Sequence, residues 1–301
     1  MATRSTGHRV GSTWIAIVAV VALAAGVGIL AALAVERGER AVPEGTAAPV
    51  PTFALGVQTP SPTPSATPTP EARPRQSERF LAVGPGAMWR ATAGACAKEG
   101  PLLERSVDGG AMWTDVTPRY RGAAQVASLD VFEGSEAGIV AGVGGGCDTQ
   151  ALRTYTEGEF WDSYPDVLAQ SRYVDVFDAA VVHTRTGRVA APCPDAHGLR
   201  ATGPVVALVC DGTAYVLSPD NAWLPLPGTD AAAVAISSGD LWSAHTAEDC
   251  TGLAITRFDG ADPAAGTRVT CAAADSAGPI ALAAVGDALW LWAGDAVSRI
   301  G

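Results

Sequence analysis

The sequence predicts an all-β fold for residues 77–301, and three observations carry this prediction. Short apolar stretches, such as Phe80–Val83 and Val126–Val131, alternate with turns rich in Gly, Asp and Pro. No stretch keeps a long helical periodicity with caps, so few helices are expected. Trp89, Trp242 and Trp290 each follow a glycine-containing turn, at separations of 153 and 48 residues.

Because 153 is about three times 51, these tryptophans indicate a repeat of about fifty residues. Four short strands in each such unit are typical of the blades of a β-propeller. The repeats predict five blades, or six if Tyr173 to Pro192 forms a further short blade. The last repeat ends after three strands. We therefore expect an N-terminal segment to supply its fourth strand, either around Phe80 or at Thr52 to Val57.

The N-terminal part of the chain predicts a membrane anchor. Arg4, His8 and Arg9 precede an uncharged, mostly apolar run from Trp14 to Val35. As a helix this run would be about 33 Å long, enough to cross a bilayer core. The alternative is a cleaved signal peptide that ends near Ala32–Ala34. The basic flank predicts a cytoplasmic segment at residues 1–13, a single transmembrane helix (a signal-anchor) at 14–35, and an extracytoplasmic remainder.

Residues 36–76 are predicted to form a linker rich in Pro, Ser and Thr. Its most biased part is "TPSPTPSATPTPEARPR", from Thr59 to Arg75. Proline fixes φ and removes backbone donors, so this stretch is expected to be extended and solvated. Its Ser and Thr residues are possible sites for O-linked sugar.

Charge excludes one class of partner. From residue 77 onward there are 27 Asp and Glu residues against 14 Lys and Arg residues, a formal balance of −13. Nucleic-acid binding needs clustered cations that displace counterions from phosphates. The sequence therefore predicts no nucleic-acid partner.

The six cysteines predict three disulfides in an oxidising compartment. Cys193 and Cys210 flank a predicted hairpin that turns near Thr202. Cys250 begins one predicted strand and Cys271 ends the antiparallel strand that follows it. Cys96 and Cys147 remain, at matching strand ends in the first two blades. Free buried thiols are the alternative, which would apply to a cytoplasmic domain.

The stretch "SVDGGAMW" contains a turn motif. Ser106, Asp108, Gly110 and Trp113 match the pattern Ser-x-Asp-x-Gly-x-x-Trp. Side-chain oxygens can accept hydrogen bonds from turn amides, and glycine supplies a positive φ. We expect a hairpin between the third and fourth strands of a blade, with its tryptophan packed between blades. A looser copy has Thr154, Thr156, Gly158 and Trp161, and a shortened copy spans Ser218–Trp223.

This motif is the Asp box of the bacterial neuraminidase repeat, and residues 77–301 resemble the Asp-box propellers. Sialidase-like propellers and the photosystem II assembly factor-like propellers of bacteria belong to this group. The resemblance implies that the boxes lie on the blade periphery and have a structural role.

A sialidase activity is not supported by the resemblance. Sialidases carry Phe/Tyr-Arg-Ile-Pro before the first box, and the nearest string here is "SRIG" at Ser298–Gly301. The candidate carboxylates Glu157, Glu159 and Asp162 are expected on a peripheral hairpin, away from a central site.

No metal or cofactor site is predicted. His183, His197 and His245 lack metal-ligand spacing. The Gly142–Cys147 stretch has neither a following helix nor a lysine, so it predicts a turn and not a phosphate cradle. The segments at Cys147 and Asp220 lack the dense oxygen ligands of a calcium loop. The tryptophans are interpreted as interblade core and not as a carbohydrate platform.

The sequence thus predicts a membrane-anchored, extracytoplasmic propeller that acts as a non-enzymatic binding or scaffold module for an envelope protein, peptide or glycan. The competing interpretation is a glycoside hydrolase of sialidase-like type. Arginines and carboxylates that converge on the central funnel would favour the hydrolase, and their absence would favour the scaffold. The ligand-binding residues themselves are not predicted.

Overall fold

The computed structural model describes residues 75–260, 262–275 and 278–301. Within these ranges no helix is long and apolar enough to cross a membrane. The predicted cytoplasmic segment, the membrane span at 14–35, and linker residues 36–74 lie outside the described residues.

The described strands form six separate antiparallel sheets, which are the blades of a propeller. Blade 1 contains β1 (Arg79–Val83), β2 (Met88–Thr92), β3 (Leu102–Ser106) and β4 (Thr114–Asp115). Blade 2 contains β5 (Ala123–Phe132), β6 (Glu136–Val143), β7 (Asp148–Thr154) and β8 (Asp162–Ser163). Blade 3 follows a short helix α1 (Pro165–Leu168) and contains β9 (Tyr173–Val174), β10 (Val181–Thr184) and β11 (Gly187–Ala190).

The other three blades continue the same order. Blade 4 contains β12 (His197–Thr202), β13 (Val205–Cys210), β14 (Thr213–Leu217) and β15 (Trp223–Pro225). Blade 5 contains β16 (Thr229–Ser237), β17 (Asp240–Ala247), β18 (Cys250–Asp259) and β19 (Asp262–Ala272). Blade 6 contains β20 (Ile280–Val285), β21 (Ala288–Ala293) and β22 (Ala296–Ile300). Short 3₁₀ turns lie at Arg75–Ser77 and Arg119–Arg121.

The first strand of each blade lies innermost, and these strands close a ring. β1 contacts β5, β5 contacts β9, β9 contacts β12, β12 contacts β16, β16 contacts β20, and β20 contacts β1. The core is divided in the same way, because each of the six neighbouring pairs of blades encloses its own cluster of buried apolar side chains. The propeller is therefore stabilised by blade-to-blade packing around a central channel.

The alternative of six blades is thus correct, and the count of five is wrong. Trp89 lies in blade 1 and Trp242 in blade 5, so these residues are four blades apart and not three. The repeat is irregular in the middle of the chain. The second strand of blade 3 begins at Val181 and that of blade 4 at Val205, only 24 residues later.

Blade 3 also differs in direction. Arg172, just before β9, donates to the carbonyl of Gly203, which follows the end of β12. Asp175, just after β9, accepts from Arg75, which precedes the start of β1. β9 therefore runs in the direction opposite to that of β1 and β12.

The three predicted disulfides are present with the predicted pairing. They join Cys96 to Cys147, Cys193 to Cys210, and Cys250 to Cys271. Among the described residues no cysteine is free. The first disulfide connects blades 1 and 2, the second joins the loop before β12 to the end of β13, and the third joins β18 to β19 of blade 5.

The prediction that a segment around Phe80 completes the last blade is wrong, because Phe80 lies in β1 and pairs with Ala91 of its own blade. β1 is held there by the inner ring. Within the described residues blade 6 has three strands, with β22 at its outer edge. The other predicted donor, Thr52–Val57, lies outside the described residues.

Candidate functional site

A funnel opens at the end of the central channel where the inner strands begin. Its cavity has a volume of about 560 Å³ and lies at the starts of β1, β12, β16 and β20. The polar side chains that line it are those of Arg75, Ser77, Glu78, Arg79, Asp195, His197, Asp230 and Thr246. Pockets of about 300 to 1,000 Å³ are typical for small ligands and for anchoring side chains of larger ones.

Glu78 joins opposite sides of this funnel. Its Oε1 accepts a hydrogen bond of 2.8 Å from the amide of Gly198 in blade 4, and its Oε2 accepts one of 3.0 Å from Nε of Arg75. The Glu78 side chain is only 5% exposed. Arg75 in turn donates to the carbonyl of Asp175 in blade 3 at 2.7 Å. Both carboxylate oxygens of Glu78 are therefore used to hold blades 1, 3 and 4 together.

Arg200 spans the channel in the other direction. It lies on β12 of blade 4, yet its guanidinium reaches the carbonyl of Arg79 at 3.4 Å and lies 5.3 Å from the ring centre of Phe80 in blade 1. Its Nε is buried with no hydrogen-bond partner among the described residues. Burial lowers the pKa of Arg200, and the charges of Glu78 and Asp130 oppose this shift. In a ring of six blades, blades 1 and 4 lie opposite each other. Arg200 therefore bridges the channel.

Asp130 lies near the end of β5 in blade 2 and interacts electrostatically with Arg200. Asp130 is exposed to solvent, yet the surrounding protein atoms raise its pKa, and Arg200, Arg172 and Arg153 partly offset this effect. Arg153 occupies the same row of blade 2, since Gly138 pairs with both residues. A Cβ on Gly138 would lie 3.5 Å from Cγ of Arg153. The glycine therefore leaves room for the arginine to extend toward the channel.

The channel does hold arginines and carboxylates, which was the feature expected to favour a hydrolase. Their arrangement is that of a clamp, because both oxygens of Glu78 accept hydrogen bonds and the charge of Arg200 interacts with both Glu78 and Asp130. Asp130 is exposed and its carboxylate has no hydrogen-bond partner among the described residues, and further free polar groups lie at the funnel rim. Among the described residues neither the carboxylate of Asp195 nor Nε2 of His197 has a hydrogen-bond partner, while Nδ1 of His197 contacts the carbonyl of Asp195 at 2.9 Å. Asp230 accepts from Thr246 at 3.2 Å.

The predicted box lies at the opposite face, in the turn between β3 and β4. The hydroxyl of Ser106 donates to Oδ1 of Asp108 at 2.8 Å and accepts from the amide of Gly110 at 2.9 Å. Oδ1 of Asp108 also accepts from the amide of Met112 at 2.9 Å. These bonds, that from Met112 most of all, lower the pKa of Asp108. Gly110 has a φ of +92°, which glycine adopts without strain.

The looser copy forms an equivalent turn between β7 and β8. The hydroxyl of Thr154 accepts from the amides of Thr156 and Gly158 at 3.2 and 2.9 Å. The hydroxyl of Thr156 accepts from the amide of Phe160 at 2.9 Å, which is the role of Asp108 in the first turn. The shortened copy is the turn between β14 and β15, where the Ser218 hydroxyl accepts from the amide of Ala222 at 3.0 Å.

Each box tryptophan packs on the preceding blade. Trp161 of blade 2 donates to the carbonyl of Val116 at 3.2 Å and contacts Trp89 edge to face at 6.0 Å. Trp223 of blade 4 donates to Ala190 of blade 3 at 2.8 Å. Trp113 of blade 1 packs with residues of blade 6, so its contacts lie at the seam where the ring closes. Trp89, Trp161, Trp242 and Trp292 are buried, as expected for interblade core.

The other residues that the sequence analysis considered as candidate catalytic or metal-binding groups do not form one cluster in the structure. Glu157 pairs with Arg105 at 2.9 Å and Asp162 with Arg121 at 3.6 Å, both on peripheral hairpins with Glu159. His183 pairs with Asp175 at 2.8 Å, and His245 contacts Thr256 at 2.9 Å. The Gly142–Cys147 stretch is the turn between β6 and β7 and ends in a disulfide. No cluster of metal-binding side chains occurs within the described ranges.

Sequence reasoning missed Glu78, Arg200 and Asp195, and it considered His197 only as a metal ligand. No local motif contains them, since the funnel draws on residues that are more than one hundred positions apart in the chain. Their only sequence signal is a position just before or within the first strand of a blade.

Known structures resemble this chain at low sequence identity. No protein-family model and no curated protein matches the chain. Solved structures that resemble it include an α-L-arabinofuranosidase from Clostridium thermocellum, with 11% identity, coverage of 71% of this chain and 80% of that one, and a TM-score of 0.39. YCF48 bound to D1 peptide has 14% identity, coverage of 73% and 76%, and a TM-score of 0.40.

A third similar structure is the PQQ-bound aldose sugar dehydrogenase from Streptomyces coelicolor, with 13% identity, coverage of 72% and 87%, and a TM-score of 0.43. These proteins include enzymes and a protein bound to a peptide, and similarity at this level carries no functional assignment. The six-bladed propeller agrees with the predicted resemblance to sialidase-like and photosystem II assembly factor-like propellers.

Proposed function

We propose that this chain is a membrane-anchored, extracytoplasmic propeller whose funnel binds an envelope protein, peptide or glycan without cleaving it. The three disulfides support the compartment, because such bonds persist in oxidising environments. The membrane anchor is the predicted helix at residues 14–35.

The observation that carries the proposal is that both carboxylate oxygens of Glu78 already accept hydrogen bonds from the protein. A glycosidase needs a pair of carboxyl groups on either side of the scissile bond, about 5 to 10 Å apart depending on the stereochemical outcome. Glu78, which lines the funnel, accepts from Gly198 and Arg75 with its two oxygens. A carboxylate whose lone pairs hold neighbouring blades is poorly suited to act as a nucleophile or to pass a proton to substrate.

The funnel rim supplies the groups that recognition needs. Asp195 offers an acceptor, His197 a ring nitrogen, and Arg79 a cation that is partly held by the carbonyl of Pro279 at 3.0 Å. The rim is built on strand starts fixed by the inner ring, so these groups are preorganised. Preorganised polar groups lower the entropic cost of binding.

One observation favours the competing function. Asp195 and Asp230 both line the funnel, so a glycoside hydrolase would use these two carboxylates and not Glu78. The full chain should therefore be assayed with aryl-sialosides and other aryl-glycosides. We expect no turnover above a buffer blank. Hydrolysis that is lost in Asp195→Asn or Asp230→Asn, while the fold is retained, would establish the hydrolase instead.

A further inference from the structure

A second cavity lies on the face of the propeller opposite the funnel. It is a groove of about 850 Å³ between the turn that joins β3 to β4 and the turn that joins β7 to β8. We call it the hairpin groove. Its lining consists of residues 105–108, 112, 114–117, 120, 136 and 155–159.

The hairpin groove exposes apolar surface. Four of the large apolar or aromatic side chains that line it, Val107, Met112, Tyr120 and Tyr155, are between 48% and 74% exposed. They are four of the ten large hydrophobic side chains that are exposed in the described part of the chain. Exposed apolar side chains scattered singly need no explanation, but a cluster with a polar rim is typical of an interaction surface.

The rim of the groove is strongly acidic. Five carboxylates line it, those of Asp108, Asp115, Glu136, Glu157 and Glu159, whereas Arg105 is its lining cation and Arg119 pairs with Asp115 at 2.8 Å from beside the groove. A hydrogen bond from Arg119 lowers the pKa of Asp115 to about 2, so this group is charged at neutral pH.

Two of these charges are available to a ligand. The carboxylate of Glu159 has no hydrogen-bond or ion-pair partner in the part of the chain that the structure describes, while its amide donates to the Thr156 carbonyl at 3.0 Å. Glu136 accepts only long bonds, from the Ser135 hydroxyl at 3.5 Å and from the Glu157 amide at 3.4 Å.

The two walls of the groove are fixed before any ligand binds. The hydroxyls of Ser106 and Thr154 tie down their own turns. At the base, a Cβ on Gly158 would lie 2.7 Å from Cβ of Val116, so blade 2 packs against blade 1 with no spare room. The Tyr120 hydroxyl also donates to the carbonyl of Trp161 at 3.0 Å across the same boundary. A preformed groove of this kind suits an extended segment that adapts to it.

We propose that the hairpin groove binds an extended, basic segment of a partner protein, in which Lys or Arg residues alternate with apolar residues. The carboxylates attract the cations, and Met112, Val107 and the two tyrosines accept the apolar side chains. Anionic lipid and nucleic acid carry the wrong charge for this rim. A second copy of this acidic domain would also be repelled. The site is separate from the funnel, so this proposal does not depend on the function proposed above.

The test is a binding titration of the full chain, purified in detergent, with a short fluorescein-labelled peptide that alternates Arg with Leu. We expect saturable binding that weakens in high salt. Glu159→Lys should weaken binding about fivefold or more, since it replaces attraction by repulsion at the rim. Met112→Ser should also weaken it. The matched control is Glu248→Lys, an exposed residue of the turn between β17 and β18 that makes the same change in net charge; it should change affinity by less than about twofold.

Several results would overturn the proposal. One is the absence of saturable binding to the wild-type chain, and another is equal weakening by Glu159→Lys and Glu248→Lys. Equal affinity for a peptide with Ala in place of each Leu would reduce the interaction to non-specific charge. Self-association of the chain that is abolished by Glu159→Lys would assign the groove to a second copy instead. Circular dichroism of each variant confirms that the fold is retained, and crosslinking from the funnel should be unaffected by these substitutions.

Discussion

Replacing Glu78 by alanine is expected to destabilise the propeller strongly, because this side chain holds three blades at the channel. The substitution leaves the amide of Gly198 and Nε of Arg75 without their acceptor, at distances that were 2.8 and 3.0 Å. The two side chains of the ion pair are only 12% and 5% exposed, so water cannot fully replace the lost bonds.

The magnitude follows from these contacts. Removing one partner of a buried, hydrogen-bonded ion pair costs about 3 to 5 kcal/mol. That is a large share of the total stability of a domain, which is about 5 to 15 kcal/mol. Glu78→Gln keeps a carbonyl acceptor for Gly198 and removes the charge, so it should lose about half as much.

Urea unfolding followed by tryptophan fluorescence measures this change. Glu104→Ala is the matched control, because Glu104 pairs with Arg90 at 2.7 Å with similar burial, but both residues lie within blade 1. We expect Glu104→Ala to cost about 1 to 2 kcal/mol. If Glu78→Ala cost no more than Glu104→Ala, the account of a cross-channel clamp would be wrong.

Three further predictions concern other parts of the chain. Ser106→Ala should lower the free energy of unfolding by about 1 to 3 kcal/mol, because it removes a buried hydroxyl that accepts hydrogen bonds from the turn amides. Asp108→Ala should destabilise the domain less, because the Asp108 carboxylate is exposed. Thermal melts that rank the two variants the other way would contradict this. Burial alone would raise the pKa of Asp175, but hydrogen bonds from His183 and from the amides of Phe177 and Asp178 lower it. The folded-state pKa of Asp175 therefore lies below the unfolded value of about 3.9. The stabilisation is present above that pH and is lost as the pH falls toward the folded value. Asp175→Asn should flatten the acidic side of the curve of unfolding free energy against pH, and an unchanged acidic side would refute the assignment. The predicted helix at 14–35 should keep the chain in membranes after carbonate washing, whereas a soluble form that begins near Val35 would show that the segment is a cleaved signal.

The regular blades could be predicted because each repeats one local pattern. In blades 1, 5 and 6 the second strand carries a Trp, which pairs across the sheet with Ala on one side and Arg on the other: Ala82–Trp89–Arg105, Ala235–Trp242–Arg257 and Ala283–Trp290–Arg299. These strands also follow tight glycine turns, so sequence and structure agree there.

Blade 3 could not be read in this way. Its equivalent row is Tyr173–His183–Arg188, which has no Trp, and the Tyr and His rings stack at 4.4 Å instead. Its first strand, β9, also runs in the opposite direction, which no local pattern signals. The blades around blade 3 are unevenly spaced in the sequence. The 153 residues between Trp89 and Trp242 therefore matched three repeats of about fifty residues, although they span four blades.

The disulfides and the candidate site show the same contrast. Cys193 and Cys210 could be paired from sequence because they flank one hairpin, and Cys250 and Cys271 because one begins a strand and the other lies near the end of the antiparallel strand that follows it. The funnel could not be predicted, because Glu78 and Gly198 meet only when opposite blades close the ring. Such long-range contacts are set by the packing of the whole domain and not by local propensity.

The most direct test of the central claim is photo-crosslinking from the funnel in living cells. A photoreactive phenylalanine analogue at Ser77, which is exposed and lines the funnel, should capture one discrete envelope component as a covalent adduct. The same analogue at Val269, which is exposed on the outer strand of blade 5, is the control and should give no such adduct. No adduct from Ser77, or the same adducts from both positions, would contradict the claim that the funnel is a binding site.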